Sequence, residues 1–290
     1  MEEIRKVNSD QAQSDRRVPV DRLTPNQRTA LVVLYQRAKE SRKQDGKIKD
    51  SWAEEMVDRI DYDFSELDND LRGQEVIAVR TQVFDRETNK FAHRRPDGTI
   101  VNLGAGLDTR FFRIDNGTIR WFDIDLPEMI DLRRQFISES KRLSFISKSV
   151  LDFGWMDRVP KDSPILFVAE GLLVYFEEHD VRSLMGRLGS SFPGTEILFD
   201  AMSPMCLRAT CPGIDPALTP FRWGVSTLKE LEAWDPRIRV VEEWFSEDFS
   251  QGSCKLFADM LGLMVRPDAK VGRVEFGRDT GREGRFRKRR

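Results

Sequence analysis

The feature that most constrains this chain is a glycine turn between a short apolar run and a segment that can form a helix. The run Ile100–Leu103 ends in the triplet Gly104–Gly106. Glycine has no Cβ, so a ligand can approach the backbone closely at such a turn. A helix that begins just after the turn points its free N–H groups at the same ligand. The pattern predicts a strand, a loop and a helix that together bind a nucleotide-like group.

An acidic strand end follows the glycine turn. About twenty residues further on, the apolar run Ile119–Phe122 ends in Asp123 and Asp125, where a carboxylate can accept hydrogen bonds from ribose hydroxyls. The two features together predict a cofactor that contains adenosine.

The residues of the loop favour one such cofactor over another. The dinucleotide fingerprint has a third glycine where this chain has Thr109. We expect Asp108 in the first turn of the following helix, where its charge would repel a pyrophosphate and favour a cation. S-adenosylmethionine has no phosphate and carries a sulfonium, so it suits an acidic loop better. An NAD-dependent oxidoreductase on the same architecture remains the alternative.

The bulk composition fits one large α/β domain. The chain has 290 residues, 39% of them hydrophobic, and a net charge of −2, which gives no general attraction to nucleic acid. No apolar run approaches the roughly 18–20 residues that span a membrane, and residues 1–17 lack an apolar signal core. We therefore expect a cytoplasmic protein with no membrane or nucleic-acid partner, either a monomer or a weak homodimer.

Cysteine and histidine usage argues against a metal site. The chain has three cysteines, Cys206, Cys211 and Cys254, which fit a reducing compartment and match no zinc spacing. With only two histidines in the sequence, we expect no structural or catalytic metal.

The chain divides into segments of different character. We predict a flexible arm (1–18), an N-terminal helical cap (19–95), a core (96–277) with a lid insertion (201–224), and a basic tail (278–290). The predicted cap helices are Asn26–Lys43, Trp52–Ile60 with Ser51 as N-cap, and Leu67–Glu87. The arginine-rich tail is either a solvated end or an electrostatic contact, which keeps a non-catalytic scaffold or RNA-binding protein as a third hypothesis.

Strand-like and helix-like runs alternate through the core. The predicted strands are Ile100–Leu103, Ile119–Phe122, Leu143–Ile146, Ile165–Ala169, Ile197–Phe199, Ile238–Val241 and Val271–Phe276. The predicted helices are Leu107–Phe112, Pro127–Ser138, Glu177–Leu188, Thr227–Trp234 with a Thr227/Glu230 capping box, and Phe257–Leu263. Such alternation predicts a doubly wound, mostly parallel sheet of seven strands, closed by an antiparallel strand and binding its ligand at the carboxyl ends of the strands.

Three further charged residues lie near those strand ends. Asp152 could accept the exocyclic amine of adenine, with Phe153 against the ring, or it could simply cap a turn. Glu170 ends a fully apolar strand and needs a partner there, either the ammonium group of the cofactor or a basic side chain. Arg80, flanked by apolar residues on a cap helix, could bind the methionine carboxylate or form an Arg–Glu bridge.

These residues resemble a known family. The strings VNLGAGLDTRFF, WFDIDLPEMIDLRR and AEGLLVYF, with VRTQVFD upstream and FRWGV downstream, are similar to the leucine carboxyl methyltransferase family, in particular its bacterial branch of tetracenomycin-type polyketide O-methyltransferases. The resemblance covers most of the chain, from about Thr24 to Phe245. It implies a class I, Rossmann-like methyltransferase fold with helices on both faces of the sheet, and S-adenosyl-L-methionine as cofactor.

The resemblance also implies roles for individual residues. Arg80 would bind the cofactor carboxylate and Glu170 its amino group, while Asp123 and Asp125 would hold the ribose, Asp125 being the better match. The other implied contacts are Gly104, Ala105 and Gly106 with the methionine portion, Asp152 and Phe153 with adenine, and Arg37 as a second basic contact.

The methyl acceptor is constrained by the shortage of bases. A carboxylate is already ionised at neutral pH, whereas a phenol usually needs a general base. His93 lies in a charged segment and His179 at an exposed helix start, so neither is well placed. We therefore expect an O-methyltransferase that acts on a carboxylate, or alternatively a hydroxyl, of a small polyketide-like or aromatic metabolite of secondary metabolism. Modification of a protein or RNA is the remaining alternative.

Three aromatic residues are candidates for the acceptor pocket. They are Tyr175, Phe221 and Trp223, although each could equally pack in the core.

Overall fold

The computed structural model describes residues 17–204, 207, 221–245 and 270–277. Several predicted features lie outside these ranges. They are nearly all of the arm, most of the lid, the helix Phe257–Leu263, the basic tail, and Cys206, Cys211 and Cys254.

The described residues form several helices, followed by strands and helices that alternate along the chain. In chain order the strands are β1 (Val18–Pro19), β2 (Ile60–Asp61), β3 (Thr99–Leu103), β4 (Arg120–Asp125), β5 (Leu143–Ser147), β6 (Ile165–Ala169), β7 (Glu196–Ala201), β8 (Ile238–Phe245) and β9 (Lys270–Phe276). The α-helices are α1 (Pro25–Arg42), α2 (Ser51–Arg59), α3 (Leu71–Arg94), α4 (Arg110–Ile114), α5 (Pro127–Arg133) and α6 (Glu178–Ser191).

The core is a seven-stranded sheet with the order β5-β4-β3-β6-β7-β9-β8. Strands β3 to β7 run parallel, whereas β9 is antiparallel to both of its neighbours. The predicted seven-stranded, mostly parallel sheet with an antiparallel closing strand is therefore confirmed. The chain moves outward from β3 in one direction and then crosses to β6 on the other side. Ligands bind at such a switch point, and the glycine turn follows β3 there.

Alternate side chains of the strands enter two separate cores. Ile100 packs on one face with residues of α1 and α3, and its neighbour Val101 packs on the opposite face with Leu184 of α6. This alternation follows from the two-residue period of a strand. The sheet is therefore covered by helices on both faces, as predicted.

The cap contains one element that the sequence did not indicate. Val18, the last residue of the predicted arm, pairs with Ile60 in a small parallel sheet of β1 and β2. The cap helices otherwise have the predicted order, although their ends differ. Asp50, not Ser51, caps α2, because its carboxylate accepts the Ala53 N–H at 3.0 Å.

Other helix ends are also corrected by the structure. Leu67 ends a short 3-10 turn, so α3 starts later than predicted and continues to Arg94. The stretch after Thr227 is a 3-10 helix, Leu228–Ala233, although its predicted capping box with Glu230 is present. Helix α5 ends at Arg133, five residues earlier than predicted.

A glycine on β9 makes a close contact that predicts a cost for any larger residue. An ideal Cβ at Gly272 would lie 1.9 Å from Cδ1 of the fully buried Leu228. We expect Gly272→Ala to lower the free energy of unfolding by about 1–3 kcal/mol, because the buried leucine must move. Urea unfolding followed by circular dichroism measures this change.

Gly186 on α6 is the matched control, because an ideal Cβ there meets no atom within 4 Å. Gly186→Ala should be stabilising by about 0.5–1 kcal/mol, since alanine is the better helix former. Equal effects of the two substitutions would show that the Leu228 contact does not constrain the sheet.

Candidate functional site

The glycine turn after β3 has a conformation that requires glycine. Gly104 and Gly106 have φ angles of 64° and 50°, in the left-handed region. A Cβ at Gly104 would also lie 2.6 Å from Cδ1 of Leu172. The N–H groups of Gly104 and Ala105 donate to the Ile124 carbonyl at 2.8 and 3.1 Å, which fixes the turn against the end of β4.

Side chains hold the peptide groups of this turn from both sides. The Gly106 N–H donates to Asp125 Oδ2 at 2.7 Å, and Arg133 Nη1 donates to the Gly106 carbonyl at 3.1 Å. Arg37 Nη2 donates to the next carbonyl, that of Leu107, at 2.7 Å. Arg37, predicted as a cofactor contact, is buried and also forms an ion pair with Asp50 at 3.2 Å.

The two aspartates of β4 have different surroundings. Asp123 is 0% exposed and accepts hydrogen bonds from Arg133 Nη2 (2.7 Å), Trp121 Nε1 (2.9 Å) and Asn102 Nδ2 (3.1 Å). Its acceptor capacity is thus used by the protein.

Asp125 is only half-buried, and its second oxygen, Oδ1, accepts the Leu126 N–H at 2.7 Å. Burial raises the pKa of Asp125 to about 6, although the N–H donors of Gly106 and Leu126 oppose this shift. A carboxylate with unused lone pairs at the end of β4 is suited to accept further hydrogen bonds from a ligand.

Arg80 and Glu170 meet at the carboxyl end of β6. Arg80 Nε lies 3.0 Å from Glu170 Oε1, and Arg80 Nη1 lies 3.1 Å from Asp200 Oδ2. Glu170 Oε2 also contacts the buried Arg110. Burial alone would lower the pKa of Arg80, but Glu170, Asp200 and the nearby Tyr175 raise it. The Arg–Glu bridge that the sequence left open is therefore present.

Asp108 does not present a free charge to a ligand, contrary to the sequence-based expectation. It precedes α4, which begins at Arg110, and Arg110 Nη1 lies 2.6 Å from Asp108 Oδ2. Burial alone would raise the pKa of Asp108, but Arg110 and Arg113 hold it well below its usual range. Asp108 therefore gives no reason to prefer S-adenosylmethionine to a dinucleotide as the cofactor.

These ion pairs form one connected set, which we name the arginine–carboxylate cluster. Its five carboxylates and four guanidinium groups leave one net negative charge. The members are Arg37, Asp50, Arg80, Asp85, Asp108, Arg110, Arg113, Glu170 and Asp200.

Asp200 and Arg110 were not predicted as site residues. Asp200 follows the apolar run of β7 as Glu170 follows that of β6, so the same signal could have identified it.

Asp152 caps the 3-10 helix Phe153–Arg158, as the alternative interpretation anticipated. Its carboxylate accepts the Gly154 N–H at 3.2 Å and forms an exposed ion pair with Lys148 at 2.6 Å. Phe153 is half-buried beneath the Arg187 guanidinium, which lies 5.5 Å from the ring centre. Their contact with adenine stays a prediction.

The three aromatic candidates separate into two groups. The Tyr175 and Phe221 rings lie 5.5 Å apart and are both half-buried, beside the turn that follows Glu170. Trp223 is fully buried and packs between Phe199 and Trp234, at 6.3 and 6.2 Å. Tyr175 and Phe221 can therefore face a ligand, whereas Trp223 belongs to the core.

Both histidines lie outside the arginine–carboxylate cluster. His93 is exposed on the last turn of α3, where its Nδ1 lies 2.8 Å from the Asn89 carbonyl oxygen. His179 is exposed at the start of α6 beside Asp180. In the part of the chain that the structure describes, no group of three or more His, Cys, Asp or Glu side chains could hold a metal ion. None of the described helices is long and apolar enough to cross a bilayer.

Comparison with known proteins decides the family. Residues 30–189 match the model of the leucine carboxyl methyltransferase family. The chain is also 34% identical over 226 residues to the tetracenomycin polyketide synthesis O-methyltransferase TcmP of Streptomyces glaucescens, covering 77% of this chain and 84% of that protein. The chain belongs to the leucine carboxyl methyltransferase family.

Two further comparisons agree with this membership. An S-adenosyl-L-methionine-dependent methyltransferase of Gibberella zeae, dpfgK, is 29% identical over 247 residues, with 77% of this chain and 83% of that protein covered. A Thermobifida fusca protein assigned as a methyltransferase shares the fold, with a TM-score of 0.54, 14% identity, and 84% and 94% of the two chains covered. This leucine carboxyl methyltransferase family member is an S-adenosylmethionine-dependent methyltransferase with the class I fold.

The residues at the switch point fit this cofactor. Gly104 and Gly106 leave the backbone open to close approach, and Asp125 retains acceptor capacity at the end of β4. The arginine–carboxylate cluster has one net negative charge, which complements a ligand that carries a sulfonium and a zwitterionic amino-acid group. Arg80, with 20% of its side chain exposed, is the guanidinium of this cluster that solvent reaches best.

Adjacent arginines at the end of α5 allow a test of how the glycine turn is held. Arg133 is 1% exposed and pairs with the fully buried Asp123. We expect Arg133→Met to lower the free energy of unfolding by about 3–5 kcal/mol, because Asp123 is left as an uncompensated buried charge. Urea unfolding is the measurement.

The next residue supplies the control. Arg134 is 42% exposed and pairs with Asp131 and Glu139 at the surface. Arg134→Met should change the unfolding free energy by less than about 1 kcal/mol. A similarly small effect of Arg133→Met would show that Asp123 does not need its partner.

Proposed function

We propose that this enzyme transfers the methyl group of S-adenosylmethionine to a carboxylate oxygen of a small aromatic or polyketide-like metabolite, which gives a methyl ester and S-adenosylhomocysteine. The position of both histidines carries the proposal, since His93 and His179 are exposed and outside the arginine–carboxylate cluster. A carboxylate acceptor needs no general base. The name of the relative TcmP, a polyketide O-methyltransferase, supports the acceptor class. We place the reaction in the cytoplasm.

The cofactor contacts follow from which polar groups retain capacity for a ligand. We assign the ribose hydroxyls to Asp125, the methionine carboxylate to Arg80 and the ammonium group to Glu170. The backbone of Gly104 to Gly106 lies beneath the methionine portion, and Asp152 with Phe153 faces adenine. Asp123 and Arg37 are instead assigned to support of the glycine turn, because both side chains are buried and hydrogen-bonded to other groups of the protein.

The cofactor, when bound, supplies the methyl group on an electrophilic sulfonium. The protein then has to hold the acceptor oxygen in line with that group and exclude water. Tyr175 and Phe221 form an aromatic wall beside the turn that follows Glu170, on the side where Arg80 lies. An aromatic acceptor can stack on this wall. Its carboxylate enters already ionised, so no proton leaves the acceptor during the transfer.

The raised pKa of Asp125 predicts a pH-dependent affinity for the cofactor product. Ribose hydroxyls donate to the ionised carboxylate, so binding requires that Asp125 lose its proton. Because the pKa of Asp125 is about 6, the Kd of S-adenosylhomocysteine should be constant above that pH and rise as the pH falls below it, by about tenfold per pH unit at the limit. Isothermal titration calorimetry across this range is the measurement.

Asp125→Asn should bind S-adenosylhomocysteine more weakly and lose this pH dependence. The control is Asp131→Asn on the exposed side of α5, where 72% of the side chain is in solvent. It should retain both the affinity and the pH profile of the wild-type protein. An affinity of the wild-type protein that stays constant down to about pH 5 would remove Asp125 from the ribose site.

The acceptor is tested with matched pairs of compounds. Aromatic and polyketide carboxylic acids should give methyl esters, whereas phenols with the same ring system should react slowly or not at all. Mass spectrometry identifies the product. For the acids, kcat should be flat from about pH 6 to about pH 9, because the acceptor is ionised throughout.

Replacement of both histidines gives a second test of the same mechanism. His93→Gln combined with His179→Gln should leave kcat unchanged, because neither side chain takes part. Exclusive methylation of the phenols, or loss of activity in the double variant, would exclude a carboxylate acceptor that needs no base.

A further inference from the structure

Asp200 joins two parts of the site. It lies near the end of β7 and is 4% exposed. Its Oδ2 accepts from Arg80 Nη1 at 3.1 Å, and its Oδ1 accepts the Gly171 N–H at 2.7 Å. One buried carboxylate therefore links the guanidinium of α3 to the turn that follows β6.

The turn at Gly171 brings the backbone close to Arg80. Gly171 has a φ angle of 63°, and an ideal Cβ there would lie 3.6 Å from both terminal nitrogens of Arg80. The guanidinium therefore lies against this turn. Because Asp200 binds both groups, a change at Asp200 would alter the orientation of Arg80 relative to the end of β6.

The contacts of Arg80 leave one nitrogen available. Nε donates to Glu170 and Nη1 to Asp200, but Nη2 makes no hydrogen bond to any of the described residues. Two anchored nitrogens fix the plane of the guanidinium, since the group is rigid and flat. The direction of Nη2 is consequently set by Glu170 and Asp200 together.

We propose that Asp200 is a positioning residue for cofactor binding, which holds Arg80 so that Nη2 faces the carboxylate of the methionine portion. This inference rests on the proposed function in one respect, namely that Arg80 binds this carboxylate. Asp200 itself does not touch the cofactor. Its effect should therefore be confined to ligands that carry the amino-acid group.

Two ligands separate this role from a general structural one. S-adenosylhomocysteine and 5′-methylthioadenosine share the adenosine and the sulfur atom, but the second has no amino-acid group. For Asp200→Asn, which keeps the size and removes the charge, we expect the Kd of S-adenosylhomocysteine to rise about tenfold or more, because a charged contact no longer orients Arg80. The Kd of 5′-methylthioadenosine should change by less than about twofold. Isothermal titration calorimetry on the full chain gives both values.

Two more variants complete the comparison. Asp200→Ser also removes the charge, with a shorter side chain, and it serves as the second variant if Asp200→Asn fails to fold. Asp235→Asn is the matched control, because Asp235 also accepts one backbone N–H and one guanidinium, both from Arg237, at 2.9 and 2.5 Å. Asp235→Asn should bind both ligands as the wild-type protein does.

Arg80→Met distinguishes the possible failures. If Arg80→Met weakens S-adenosylhomocysteine but the Asp200 variants do not, Arg80 needs no support from Asp200, and the inference is overturned while the proposed contact stands. Equal loss of both ligands in the Asp200 variants would show a general structural role and would overturn it as well. If Arg80→Met leaves S-adenosylhomocysteine binding unchanged, the proposed carboxylate contact itself is wrong, and the role of Asp200 with it.

Discussion

The buried arginine–carboxylate cluster is the interaction on which the rest of the site depends. Each buried charge costs several kcal/mol of lost hydration unless its partners are in place. Arg110 is almost completely buried and needs Asp85 from α3, Asp108 from the turn and Glu170 from the end of β6. Cap, turn and sheet edge must therefore assemble together. The cap is part of this cluster, since without it Arg110 and Arg113 would lack the carboxylates of Asp50 and Asp85.

The side chains around the glycine turn explain how a glycine-rich segment can be rigid. Glycine gives the turn its left-handed residues, but it also gives the unfolded chain more freedom to lose. Here the peptide groups of the turn are held by Asp125, Arg133 and Arg37, which come from β4, α5 and α1. The turn presents its backbone, with no side chains, to a ligand. The side chains that lie behind the turn fix its conformation. Such preorganisation lowers the entropic cost of binding.

Much of the fold could be predicted because hydrophobic periodicity reports burial. The seven strands of the core sheet were found in their correct order along the chain, and Ile165–Ala169 matches β6 residue for residue. The predicted ends of the strands were less accurate, because backbone pairing continues past the last apolar residue. Strand β4 thus includes Asp123 and Asp125, although the apolar run stops at Phe122.

The site was predicted less completely, because the partner of a charged side chain is set by the tertiary fold. Gly104, Gly106, Arg80 and Glu170 could be found as candidates from local patterns, but the pairing of Arg80 with Glu170 could not. The partners of Asp123 and Arg37 could not be found in this way. No local pattern indicates that Arg133 pairs with Asp123 or that Asp50 pairs with Arg37. The same limit applies to Asp108, whose charge is compensated by an arginine two residues away that the helix start places against it.

The order of strands at one edge of the sheet has a consequence for how the protein is made. Strand β9 lies between β7 and β8, yet it comes later in the chain than either of them, and Asp200 is opposite Val271 in its register. On the ribosome, β7 and β8 are synthesised first and cannot pair with each other in the native arrangement. The strand that carries Asp200 therefore keeps an unpaired edge until residues 270–276 have emerged. During this interval it is open to association with other nascent chains, as exposed strand edges are.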